Sequence, residues 1–507
     1  MNNFLNGLKS TNDYILTENG ATAYRSTGTD LYDMFALGGA MRSRSQEDII
    51  LMFEKAYADN PSYALKCLFY LRDVRGGGQG ERRFWRVVMN WMANKSPNDV
   101  RHLIKYTPEY GRWDDLYTFV DTPLEDDAFE IIKAQLALDV QCKTPSLLAK
   151  WLKSENTSSA KSRRLAHITK NHLGMTSKQY RKTLSILRQR INIVERLMSE
   201  NRWSEIEFDK IPSRAGFIYK NAFARHDVER AMAGAKTYAD FAKDATTKVN
   251  AKTLYPYEVV SKAVSMYYDR PALDDTDRLM VNKYWDNLAD YFDSKPFNGM
   301  AIVDTSGSMY RGDASAPINV AMSLGLYCAE KAQGPFHNHF LTFESKPRFI
   351  EVEGVDFCDK VWRLRQAPWG GSTNIKGCFD MMLDIAVKNH CSQDEIPQNL
   401  IVISDMEFDY CACSNSREDY WGGYEKGLDE TVFETIRKEW EARGYKMPRL
   451  VFWNVDARQN NIPMRDEKNI TFVSGMSPVI YEMLLSGKTA QDLMYEKLNS
   501  ERYAVIY

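Results

Sequence analysis

The sequence predicts a multidomain α plus α/β chain: an α-helical array over residues 1–295, then a doubly wound parallel sheet over residues 296–507. Three observations lead there. At 507 residues the chain is too long for one ordinary core. Its apolar residues follow a helical period as far as about Phe292 and then collect into short β-rich runs, with the change at Asp293-Ser-Lys-Pro-Phe297. In the last 210 or so residues such runs alternate with helical patterns, the mark of a parallel sheet covered on both faces.

The helical part can be followed element by element. Ser45 with Asp48 supplies a cap, and Ile49, Ile50, Met52, Phe53, Ala56 and Tyr57 form the apolar face behind it. Pro61 opens the next helix, with Ala64, Cys67, Leu68 and Leu71 on one side. Gly76-Gly-Gly-Gln-Gly80 breaks the chain before Phe84, Val87, Val88, Trp91 and Met92 resume the period. No Lys-Ser/Thr follows those glycines, so they read as a tight interhelical turn and not as a nucleotide loop. Pro97 starts a further helix, and Trp113, Leu116, Phe119 and Val120 outline a short one in which Trp113 is expected buried and Arg112 paired with a carboxylate. Ser177–Asn201 is the longest unbroken helical pattern. Short connections between such helices suggest pairs stacked as a HEAT-like solenoid, without a strict sequence period.

In the second part the run ending at Asp304 is the first strand, followed by a largely apolar helix at Ile318–Ala332. Strands are expected at His339–Phe343, Asn399–Ser404, Arg449–Val455 and Asn469–Val473, and helices at Ile375–Asn389, Asp429–Arg443 and Pro478–Leu485. Parallel sheets of this kind bind ligands at the C-terminal ends of their strands.

That is where five oxygen-bearing residues collect. Asp304, Ser306 and Ser308 form Asp-x-Ser-x-Ser after the first strand, Thr373 sits in Gly370-Gly-Ser-Thr-Asn374, and Asp405 ends a second buried-strand run. Two carboxylates and three hydroxyls suit a hard divalent cation, Mg²⁺ or Mn²⁺. An octahedral ion so held keeps a position open, which a partner's Asp or Glu would fill. The pattern resembles the metal-ion-dependent adhesion site of a von Willebrand factor A domain. Arg311-Gly-Asp313 close by reads as a plain loop.

A helical array followed by an A domain resembles the Ro autoantigen (TROVE) family, which implies a helical ring that binds small non-coding or misfolded RNA. Over nearly its full length the chain is similar to an uncharacterised phage, plant and fungal family of that architecture. The residues carrying this resemblance are Arg72-Asp-Val-Arg-Gly-Gly-Gly-Gln-Gly-Glu-Arg82, Gly111-Arg-Trp-Asp-Asp-Leu116, Trp151–Ser159, Tyr180–Ser185, Pro212-Ser213, Ser404-Asp-Met-Glu-Phe408 and Val451-Phe-Trp-Asn454.

Charge supports RNA independently. The net charge of −2 divides into 44 Lys+Arg against 38 Asp+Glu in residues 1–295 and 22 against 30 in 296–507. Residues 141–190 alone hold 12 basic side chains and one acidic one, Glu155. Lys153, Lys161, Arg163, Arg164, Lys170, Lys178, Arg181, Lys182, Arg188 and Arg190 are candidate phosphate contacts. His167 and His172, with Trp151 and Tyr180, are candidate stacking partners for unpaired bases. The bland alternative is a solvated face balancing the acidic second part, and the corresponding alternative function is a non-RNA adaptor that docks a carboxylate, for instance with an AAA+ ATPase.

No nucleophile–base set is suggested by spacing, and Asp304 and Asp405 as metal ligands are not free for acid–base work, so no enzyme activity is expected. Glu407 is the one acidic neighbour and is expected to point away. Eight cysteines without a Cys-x-x-Cys pair read as reduced thiols, with a soft-metal cluster of Cys391, Cys411 and Cys413 a minor alternative. With neither a signal peptide nor a membrane-length apolar stretch, a cytoplasmic protein is expected, in the host cytoplasm if phage-encoded. Oligomeric state has no signature.

Overall fold

The computed structural model describes residues 13–191, 193–251, 254–268, 275–292, 296–312, 316–343, 346–366, 373–409, 431–465, 469–484 and 488–507. A hairpin of β1 (Tyr14–Leu16) and β2 (Thr22–Tyr24) comes first. Among the helices that follow are α1 (Asp30–Leu37), α2 (Gln46–Asp59), α3 (Pro61–Arg72), α4 (Arg82–Lys95), α5 (Ala160–His172) and α6 (Ser177–Ile191); the longest described, Glu125–Gln141, lies between α4 and α5, and Ser213–Arg225, Pro256–Tyr268 and Asp275–Asp286 come after α6. Ser45 Oγ accepts the Asp48 amide at 3.0 Å, and Asn60 caps α3 ahead of Pro61, so the start signals act as read.

The helical pattern Ser177–Asn201 is not one helix. It ends at Ile191, Ile193 is extended (φ −72°, ψ 145°), and a separate turn of helix runs Val194–Ser199. The apolar spacing runs on across this break although the pieces enter different clusters, Leu184 and Leu187 one and Leu197 the other, so periodicity alone overlooks it. Trp113 is only partly buried.

The second part is a mixed sheet, mostly parallel. Its strands are β3 (Gly299–Asp304), β4 (His339–Phe343), β5 (Arg348–Glu351), β6 (Asn399–Ser404), β7 (Arg449–Asn454) and β8 (Ile470–Ser474), in the spatial order β5-β4-β3-β6-β7-β8. Only β5 runs antiparallel, paired with β4. Sequence periodicity does not reveal this edge strand, because it alternates half-buried with exposed residues and lacks an apolar run. The interleaved helices include α7 (Pro317–Lys331), α8 (Ile375–Lys388), α9 (Val432–Ala442) and, near the end, α10 (Ala490–Leu498), with Phe357–Gln366 ahead of α8 and Ile480–Leu484 after β8. Gly325 seats α7 on the first strand: a Cβ there would come within 2.4 Å of Val303 Cγ2.

Side chains alternate across the sheet as a pleat requires. Ala301, Val303, Ile401, Ile403, Val451 and Trp453 belong to one buried cluster together with α7 and apolar residues from Leu197 to Phe292. Met300, Ile302, Leu400, Val402, Leu450 and Phe452 belong to another, with α8, α9 and residues from Ala21 to Leu187. The helical chain therefore packs against both faces of the sheet. The C-terminus closes back on it: Arg502 Nε pairs with Asp73 at 2.9 Å, beside the glycine-rich turn. That turn is structural, since Gly77 and Gly80 have φ of +79° and +67° and a Cβ on Gly78 would lie 2.2 Å from the Tyr70 carbonyl oxygen.

Candidate functional site

Asp304 is the last residue of β3 and Asp405 the first beyond β6, and these strands are parallel neighbours with Val303 opposite Ile403. Both carboxylates are thereby delivered to one end of the sheet, and both are buried, at 0% and 1% exposed. Asp304 Oδ1 accepts the Ser306 amide at 2.9 Å, and Oδ2 accepts the Ser404 hydroxyl at 2.5 Å. The loop so folded brings Ser306 Oγ within 3.2 Å of Ser308 Oγ. Thr373 precedes Asn374, which caps α8 by accepting the Gly377 amide, and its carbonyl accepts the Asp409 amide at 3.1 Å. The Thr373 segment is thus tied to the chain leaving β6.

Met406 adopts φ +65°, a left-handed conformation that costs a bulky residue of order 1–3 kcal/mol. It turns the backbone sharply between Asp405 and Glu407, and its amide donates to Ser404 Oγ at 2.9 Å. Glu407 is wholly buried, and its Oε2 accepts the Glu18 amide at 2.7 Å while Oε1 has no hydrogen-bond partner. Burial, with the Asp405 carboxylate beside it, pushes the Asp304 carboxyl up to about 7. Burial likewise raises Glu407 to about 7, against the opposing pull of the Glu18 amide and Arg458.

Sequence reading missed three contributors. Arg458 Nη2 pairs with Asp405 Oδ2 at 2.7 Å, and its Nη1 contacts the Glu18 carboxylate. Asn19 donates from Nδ2 to Thr373 Oγ1 at 3.1 Å and to the Glu407 carbonyl at 2.6 Å. The rule that ligands gather beyond parallel strand ends could have flagged Arg458, four residues after β7. Nothing local points to Glu18 or Asn19.

The donor set fits a hard cation. Among the described residues no group of three or more His, Cys, Asp or Glu side chains has metal-site geometry. Asp304, Ser306, Ser308, Thr373 and Asp405 would hold the ion. Cys411, Cys413, Gly370–Ser372 and Asp313 lie outside the described residues; Cys391 is partly buried and, like the other described cysteines, free.

The basic residues lie on α5, α6 and the loop before them, and many are engaged internally. Arg188 donates to the carbonyls of Ala149 and Leu152 and to Ser154 Oγ, and Arg190 to the Val140 carbonyl. Arg164 pairs with Asp121 at 2.6 Å, and Lys170 and Arg181 each reach Glu155 at 3.5 Å. Arg163 bonds the carbonyls of Thr157 and Ser158 and forms no ion pair with a described residue. Lys153 lies 5.5 Å from the Tyr117 ring centre, and His167 is exposed beside Lys170. Lys161, Lys178 and Lys182 are exposed and form no ion pair with a described residue. Of the expected stackers, His172 is stacked on Phe129 at 4.2 Å and bonded to Glu125, Trp151 is covered by Arg112, and Tyr180 is buried with its hydroxyl on the Lys153 carbonyl. A cavity of about 470 Å³ opens beside Tyr180, Arg181, Arg188 and Arg196.

The chain matches families already described. The domain of unknown function DUF2828 matches residues 17–172 and 137–295, together more than half of the chain. The chain belongs to the DUF2828 family. A second domain of unknown function, DUF7788, matches residues 298–504 of this DUF2828 chain. The uncharacterized protein L728 of Acanthamoeba polyphaga mimivirus is 31% identical over 511 residues, covering 93% of this chain and 84% of that one. The crystal structure of the Ro (RSR) protein of Deinococcus radiodurans is similar at 16% identity and a TM-score of 0.47, covering 94% of this chain and 100% of that one. The expected resemblance to an uncharacterised family holds. Among the described residues no helix is long and apolar enough to cross a membrane.

Proposed function

We propose that this protein is a non-enzymatic, Mg²⁺-dependent docking protein whose sheet is a von Willebrand factor A-type module. The observation that carries the reading is the convergence of buried Asp304 and Asp405, with the Ser306 and Ser308 hydroxyls 3.2 Å apart, at the C-terminal ends of adjacent parallel strands. A bound Mg²⁺ would supply an electrophilic position for a carboxylate oxygen. The chain's own residues do the rest. The Ser306 amide and Ser404 hydroxyl fix the Asp304 carboxylate, while Arg458 balances the charge of Asp405. Because the sheet shares its cores with both stretches of helices, the full-length chain is the unit to test. Immobilised full-length protein is expected to retain protein partners in Mg²⁺ and to release them into EDTA. Recovery of every partner regardless of EDTA would reject the proposal.

A second role, RNA binding by a HEAT-like helical part as in Ro-type proteins, is favoured by the basic face of α5 and α6. Lys161, Lys178 and Lys182 stand exposed there without acidic partners, and Arg163 keeps its charge. Replacing those three lysines with Glu is expected to weaken binding of a single-stranded RNA oligonucleotide. The log–log salt slope should fall by about 0.7 for each phosphate that the variant no longer neutralises. An unchanged slope would return these charges to solvent.

A further inference from the structure

The residues that would hold the metal have a neighbour that the chain itself supplies. Thr17-Glu18-Asn19-Gly20 is the tight turn of the β1–β2 hairpin, closed by the Gly20 amide on the Thr17 carbonyl at 3.0 Å and by Gly20 at φ +88°. The turn lies across the candidate metal centre. Thr17 Oγ1 donates to the Phe408 carbonyl at 2.6 Å, the Glu18 amide meets Glu407, and Gly20 forms an antiparallel bridge with Asp409. Asn19 donates to the hydroxyl oxygen of Thr373, one of the five predicted ligands. A single guanidinium, that of Arg458, joins the Glu18 carboxylate to Asp405.

We propose that this turn is a built-in occupant of the docking site, a Glu-bearing ligand mimic that an incoming acidic turn of a protein partner must displace, with Arg458 as the latch. The inference rests on the metal-dependent docking reading. Two features make the turn displaceable. Glu18 and Asn19 are exposed although they bridge to buried groups, so no apolar core is broken when they lift. The root of the hairpin is held separately, by the Tyr24–Ile462 bridge and by Tyr24 Oη donating to Glu434 at 2.8 Å, so the tip can leave while the strands stay. Lifting the turn would strip Glu407 Oε2 of the Glu18 amide, with Oε1 already unpartnered. That cost favours the closed form until a competing Glu–Asn pair replaces the same contacts. A tethered competitor acts at high effective concentration, so an outside ligand meets a weakened apparent affinity.

The test compares wild-type protein with a Glu18→Ala/Asn19→Ala variant. The probe is a fluorescent cyclic peptide carrying Thr-Glu-Asn-Gly, read by anisotropy in Mg²⁺ and in EDTA, with Mn²⁺ uptake of both proteins measured by calorimetry. The variant is expected to bind the peptide about tenfold more tightly than wild type in Mg²⁺, and neither to bind it in EDTA. Equal peptide affinities in two proteins that both take up Mn²⁺ would overturn the latch and leave the metal centre standing. Absence of Mn²⁺ uptake by wild type would overturn the metal reading, and the latch with it; loss of uptake by the variant alone would overturn the latch.

Discussion

Asp304→Asn protein is expected to take up no Mn²⁺ in calorimetry, while wild type binds one ion and the fold of the variant persists. The amide oxygen still accepts the Ser306 amide, so the loop keeps its shape, but one of only two carboxylate ligands is gone. Undiminished Mn²⁺ binding by the variant would refute the assignment. The same substitution has a second readout in metal-free protein. Burial and Asp405 raise Asp304 to about 7 in the folded chain, whereas the unfolded carboxyl titrates near its ordinary value, about 4. Between those values the native state holds a proton that the unfolded chain has released, so stability falls as pH rises from about 4 to 7 and is fullest on the acid side. Asp304→Asn removes part of that slope, and Glu407, raised for the same reason, leaves the remainder. Divalent metal should flatten the wild-type slope, because the ion takes the place of the proton.

The largest loss of stability is expected at Asp115. Its carboxylate is completely buried and receives Arg72 Nε and Nη2 at 3.0 and 2.6 Å, Arg86 Nε at 2.7 Å and the Arg112 amide at 2.9 Å. Burial pushes its carboxyl up, but the two guanidinium groups overcome this and hold it below the ordinary carboxylate range. Arg72 is itself buried, so Asp115→Ala strands a charge between α3, α4 and the 113–119 turn. Breaking such a pair costs about 3–5 kcal/mol. Urea unfolding should show a lower midpoint with an unchanged slope. A loss below about 1 kcal/mol, the scale of an exposed ion pair, would show that the network does not hold these helices together. The sequence points to this segment but to the wrong base: Arg112 is the expected partner of a carboxylate, yet its guanidinium covers Trp151 while Arg72 and Arg86 take Asp115.

What the sequence determined by itself was whatever a short stretch encodes. Gly299–Asp304, Asn399–Ser404 and Arg449–Asn454 are nearly continuous apolar runs, and such runs bury as parallel strands, so their polar ends had to emerge together at one edge. Asp304 and Asp405 were legible for that reason, and so were the cap at Ser45, whose partner lies three residues away, and the helix start at Pro61. Tertiary structure alone decided what reaches those carboxylates. Glu18 and Asn19 meet Glu407 and Thr373 from more than 350 positions away, and no local period records a contact of that range. It also decided the standing of the basic segment. Asp121 and Glu125 come from outside residues 141–190 to pair with Arg164 and to hydrogen-bond His172, and counting charge within that segment cannot see them. Burial pattern is a property of neighbours in sequence, whereas the pairing of charge and the covering of a site belong to neighbours in space.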